Sequence, residues 1–266
     1  MWGRLSVEFV YQLFALLVAV VVVHALYVGV VRPQARADDA AHIAAVAADA
    51  PAAAQQRSVW IVIRNYEQEI CFMLMVWALA LLAYKAAGVI GERRLLEQDL
   101  LPVGAGESVL PQDSREYARA IESLPGRQRE YLYPRALLTA LHRFRSTRNV
   151  QDVSNAVSDV CEAETDRLDS ELSMVRYIAW AIPSIGFIGT VRGIGLALSQ
   201  AQEAVAGDIS GVTAALALAF NSTLVALVLS IILMLFLHQL QLSQERLVLD
   251  TRRACDRDLI QNLQSQ

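Results

Sequence analysis

Apolar residues in this chain gather into four long runs separated by polar stretches. The runs are Phe9 to Val31, Ile70 to Ile90, about Tyr177 to Leu198, and about Val212 to Leu237. Each holds roughly 20 or more residues, enough to cross a ~30 Å hydrocarbon core at 1.5 Å per residue. Lipid admits only helices and closed barrels as spanning structures, and continuous apolar runs read as helices. The pattern predicts an all-α membrane protein with four transmembrane helices. Its expected organisation is an N-terminus and first span (1–31), a periplasmic segment (32–67), a second span (68–91), a cytoplasmic helical segment (92–173), spans three and four (174–238) and a cytoplasmic helical tail (239–266). Arg4 and the small-residue motif Ala35-Arg36-Ala37 flank the first run as in a signal peptide. Its apolar stretch exceeds the usual ~7–15 residues of a signal core, so an uncleaved span is expected.

The polar stretches carry patterns of their own. Segment 32–67 is Ala-rich, broken at Asp49-Ala50-Pro51, and predicts one or two short helices on the outer surface. Pro102, Gly104, Gly106, Pro111 and Pro125-Gly126 interrupt segment 92–146, leaving room for helices near 113–123 and 128–146. From Asn149 onward, Val153, Val157, Val160, Leu168, Leu172 and Val175 form a helical stripe, with no Gly or Pro from 149 to 182. That predicts one long helix rising into the third span. The fourth span likewise continues into a tail with Leu240, Leu247, Leu259 and Leu263. Spans three and four are thus expected to extend as long cytoplasmic helices, packed within one subunit, against other copies, or both.

Composition sharpens this picture. The chain is 55% hydrophobic and 19% charged, with a mean hydropathy of +0.36. A soluble domain has about 45–50% apolar and ~25% charged residues, so a single soluble domain is excluded. A net charge of −4 argues against nucleic acid as a partner. Cys71, Cys161 and Cys255 are widely spaced, which gives neither a disulfide framework nor a metal motif. Arginines set the orientation. Segment 92–176 has 12, segment 32–67 has four, segment 201–211 has none and segment 239–266 has four. Placing both termini and segment 92–176 in the cytoplasm satisfies the positive-inside rule.

Polar chemistry inside the apolar runs is sparse. Span three reads Ile182-Pro183-Ser184-Ile185-Gly186-Phe187-Ile188-Gly189-Thr190-Val191-Arg192-Gly193. Gly186, Gly189 and Gly193 share one helical face, which lets another backbone approach closely. Pro183 is expected to kink the helix or free a carbonyl. Span four contains Asn221-Ser222-Thr223, costly in mid-membrane unless satisfied. Counted from the outer ends, Thr190 and Thr223 both fall about 15–17 Å deep. The short 201–211 link makes the two spans antiparallel neighbours, so these threonines are expected to share one polar layer. That layer suits a hydrated path, a partner's carboxylate, or plain interhelical packing. His24 reads as an interfacial residue and Lys85 as a snorkelling one. Arg192, roughly 12 Å below the outer end, is expected to reach outward, to pair with Glu203 or Asp208, or to counter a partner's carboxylate. No Asp or Glu lies within the four runs, so any carboxylate that carries ions is expected from another subunit.

The stretch Ile185-Gly186-Phe187-Ile188-Gly189-Thr190-Val191-Arg192-Gly193-Ile194 resembles the Gly-x-x-Gly-Thr-Val-x-Gly signature of the MotA/TolQ/ExbB proton-channel family. The stretch Ala217–Leu227 looks like that family's following helix. The resemblance implies a pentamer surrounding a dimer of a single-span MotB/TolR/ExbD-like subunit, whose membrane Asp reaches the Thr190/Thr223 layer. Asn221 and Ser222 would line the same path, with Ser222 as an alternative register for Thr223. Proton or sodium flow would then drive rotation at the bacterial inner membrane. Four spans look like the flagellar-stator branch, while the signature looks closer to the ExbB/TolQ side or to stator-like subunits of phage-defence systems. Where the ExbB branch has a glutamate, this chain has apolar residues around Ala217-Leu218. No nucleophile–base pair, metal cluster or phosphate loop is visible, so neither an enzyme nor a cofactor is expected. The rival readings are a structural or signalling membrane scaffold and a self-sufficient channel.

Overall fold

The computed structural model describes residues 7–47, 58–98, 100–101 and 108–264. The Asp49-Ala50-Pro51 break and the Pro102, Gly104 and Gly106 breakers lie outside these residues. The described chain is helical, without strands beyond one isolated bridge. Four of its helical stretches are long and apolar enough to cross a membrane, which makes this a membrane protein by fold. The chain divides into two compact units, Met1–Leu82 with Met174–Leu237, and Ala83–Ser173 with His238–Gln266.

The first unit is built on antiparallel helix contacts. Helix α1 (Val7–Leu26) passes through a π-helical turn, Tyr27–Val31, into α2 (Arg32–Ala47). Along it Ala15, Ala19, Val23, Tyr27, Val31 and Ala35 are buried, each four residues from the last. On a 3.6-residue helix such a stripe drifts by about 40° per step. The wider π turn takes up part of that drift and keeps one face inward. A short α3 (Val59–Ile63), capped by Ser58, precedes α4 (Tyr66–Leu96). The Tyr11 hydroxyl donates to Ala80 O at 3.0 Å, Trp77 Nε1 donates to Gln12 O at 3.0 Å, and the Tyr27 and Phe72 rings stack tilted at 6.3 Å. Rising numbers on α1 meet falling numbers on α4, so the two are antiparallel.

Helix α9 (Ser173–Ser199) meets α11 (Ser210–Asp258) in the same sense, and the five-residue α10 (Ala201–Val205) lies in their link. A Cβ at Gly186 would stand 2.4 Å from Ala226 Cβ, one at Gly189 2.6 Å from Ser222 Cβ, and one at Gly193 2.7 Å from Ala219 Cβ. The glycine face therefore lies directly against the small residues of α11, as small-x-x-x-small crossings in membranes do. Phe187, Ile188, Val191, Leu198, Phe220, Leu224 and Ile231 point the other way and are exposed in the single chain.

The second unit has a soluble-type core. Helices α5 (Ser114–Glu122) and α8 (Val150–Glu171) contribute to a core with Leu137, Leu141 and Phe144 of α7 (Leu132–Thr147), and the short α6 (Gly126–Arg129) precedes α7. Arg148 takes a left-handed conformation (φ 54°) to end α7, and the Asn149 side chain accepts from Gln151 N at 2.9 Å to start α8. The expected stripe is seen, with Val153, Val157, Leu168 and Leu172 buried and Val160 half-buried. The predicted long helix is seen as the stretch Val150–Ser199, in which one turn residue of helical conformation, Leu172, separates α8 from α9.

Candidate functional site

The first unit places Thr190 of α9 opposite Thr223 of α11. Their hydroxyls hydrogen-bond to each other. Thr223 Oγ1 also donates to Gly186 O at 3.0 Å, and Thr190 Oγ1 lies 3.3 Å from both Gly186 O and Ala219 O. A hydroxyl has one proton and two lone pairs. With both protons committed, the pair keeps free acceptor capacity, and rotating either O–H makes it a donor. Such a pair can accept from a protonated carboxyl or donate to a carboxylate. Of Ser222 and Thr223, it is Thr223 that meets Thr190. Ser222 is buried against Gly189 and donates back to Leu218 O at 3.0 Å. Asn221 is buried beside it.

Pro183 lies inside α9 and lacks an N–H, so the carbonyl four residues back has no helical donor. That carbonyl belongs to Ala179, and the Ser230 hydroxyl of α11 donates to it at 3.1 Å. Sequence reasoning expected the freed carbonyl but missed Ser230.

Arg192 does not pair with Glu203 or Asp208. Its guanidinium binds Glu67 in α4 through two contacts, Nε to Oε1 at 2.7 Å and Nη2 to Oε2 at 2.9 Å. Asp208 instead accepts from Ser210 N at 2.9 Å and from the Ser210 hydroxyl, which hold its carboxyl below the usual range. His24 is engaged by a carboxylate of α4. Its Nδ1 lies 2.6 Å from Glu69 Oε1, and Arg32 binds the other oxygen of the same carboxylate while its guanidinium covers the Tyr66 ring at 4.7 Å. Glu67, Gln68 and Glu69 are all buried. In the second unit, Lys85 pairs with Glu171 at 2.7 Å rather than reaching free to the interface. The four apolar runs hold no carboxylate, but two of the chain's own lie just before the second run, in the first turn of α4. The available signal was Tyr66-Glu67-Gln68-Glu69 abutting the second apolar run, together with an arginine inside the third. An arginine there calls for a carboxylate partner.

Four apolar helices, a glycine-lined crossing and a hydroxyl pair within it define a polytopic helical membrane protein with a polar layer between two spans. Residues 129–253 match the MotA/TolQ/ExbB proton channel family. The match takes in Thr190, Thr223, Arg192 and the glycine face, and leaves Glu67 and Glu69 outside. No curated protein and no solved structure matches the chain.

Proposed function

We propose that this chain is the ring subunit of an ion-driven rotary motor in the bacterial inner membrane. Five copies surround two single-span partners, each partner brings one membrane Asp to the Thr190/Thr223 layer, and proton or sodium passage turns the ring. Both termini and the second unit are cytoplasmic in this reading, which rests on the arginine distribution. The observation that carries the proposal is the Thr190–Thr223 hydroxyl pair at the crossing of the two signature helices. The unburied apolar faces of α9 and α11 support assembly with other chains or lipid.

Native mass of the complex, purified with and without a co-expressed single-span partner, tests the architecture. A five-to-two complex is expected, and a monomer, a dimer or a partnerless ring would refute it. Thr190→Val and Thr223→Val are each expected to lower ion-driven activity at least tenfold while the complex still assembles. The scaffold reading has its own observation, because both hydroxyls also reach main-chain carbonyls. It predicts unchanged activity in both valine variants.

A further inference from the structure

An arginine two residues from Thr190 poses an electrostatic problem for any cation path. A bare guanidinium in low dielectric repels cations and holds a nearby carboxylate deprotonated. The chain answers with Glu67. Its carboxylate binds both the Nε and Nη2 edges of Arg192, with a side chain only 11% exposed against 44% for Arg192. The Glu67 stem passes α9 at Gly189, where an added Cβ would stand 3.3 Å from Glu67 Cγ. The stem thus packs closely on α9 beside the glycine face. Arg192 contacts α4 and makes no hydrogen bond to the threonine pair.

The Cys71 thiol, one turn further along α4, also lies near Glu67 and donates to Ile182 O at 3.6 Å. Helix α11 has no charged residue from Ser210 to Leu237. Glu69, two residues on and so about 200° round α4, is engaged by His24 and Arg32. The other cation on α9, Arg176, lies 16 residues earlier, about 24 Å along the helix. Glu203 and Asp208 follow α9 in α10 and the link, and Asp208 is bound to Ser210.

We propose that Glu67 is a charge-neutralising residue of the ion path, which binds Arg192 so that a carboxylate entering the Thr190/Thr223 layer can still take up a proton. Glu67 and Arg192 are thus positioning residues acting through the field at the layer. This inference rests on the motor reading above. At a separation on the order of 10 Å and an effective dielectric of about 20, one uncompensated charge shifts a carboxylate by about one pH unit.

The test is ion flux into proteoliposomes holding the full chain with its single-span partner, measured across outer pH. Glu67→Gln is expected to move the pH midpoint down by about one unit. Arg192→Gln, which leaves Glu67 uncompensated, should move it up. The Glu67→Gln/Arg192→Gln double variant should return it to the unmodified value, and it serves if a single variant fails to assemble. A purely structural pair would lower assembly in the single variants without opposite midpoint shifts. Unmoved or same-direction midpoints, or a displaced midpoint in the double variant, overturn the inference alone. No partner-dependent flux from the unmodified chain overturns the motor reading and this inference with it.

Discussion

At the scale of single residues, the backbone defect at Pro183 is met by one neighbouring side chain. Pro183 removes the donor for Ala179 O, and Ser230 supplies another at 3.1 Å. An unsatisfied buried carbonyl costs about 1–3 kcal/mol. Ser230→Ala should therefore lower the melting temperature in detergent by an amount corresponding to about 1–2 kcal/mol. Pro183→Ala restores the N–H, so Ser230→Ala should cost clearly less in that background. Equal costs in the two backgrounds would show that Ser230 does not act through this carbonyl.

At the scale of elements, the α9–α11 crossing is set by glycines whose places α11 already occupies. Gly186→Ala and Gly189→Ala would drive methyl groups to 2.4 Å from Ala226 Cβ and 2.6 Å from Ser222 Cβ. Such overpacking costs about 1–3 kcal/mol, visible as early thermal unfolding. Gly195, two residues past Gly193, meets nothing within 4 Å, so Gly195→Ala should be neutral or slightly stabilising. Equal sensitivity at Gly189 and Gly195 would contradict the crossing. This element was legible in the sequence, because spacings of three and four place the glycines on one face whatever surrounds them. The first turn of α4 was not. Apolar content starts the second span at Ile70, but the helix starts at Tyr66, where glutamates favour the positive end of the helix dipole. What buries Glu67 and Glu69 is Arg192, His24 and Arg32, which are remote in sequence, so no local pattern announces it. The π turn is equally silent, since its wider winding answers the burial of Tyr27 and Val31 rather than any residue type.

At the scale of the whole molecule, two kinds of core share one chain. The second unit includes an ion network suited to water. Glu164 is buried and bound by Arg135 at 3.0 Å and by Arg167. Burial alone would raise its carboxyl, but the Arg167 and Arg135 guanidiniums outweigh this and hold it below its ordinary value. Its folded value lies below its unfolded one. Its stabilisation is therefore present at neutral pH and fades as pH falls below about 4.3 toward the folded value. Glu164→Gln should lower the melting temperature at pH 7 and flatten its decline under acid. A parallel decline in both proteins would assign the acid sensitivity to other carboxylates. Tyr133, which donates to Asp258 at 2.8 Å, is shifted upward by burial and then by that carboxylate, so it stays a neutral donor across the same range.

The π turn at Tyr27–Val31 has a consequence for how chain length is read. It winds one residue more into its loop than an α-helix would. Gly29, within it, has open space around its Cα. Deleting Gly29 would let the turn close into ordinary helix with the preceding span unchanged. Arg32, the residue that follows the turn, binds Glu69, so a one-residue gap at this point in a related chain should mark a different electrostatic partner for the start of its second span.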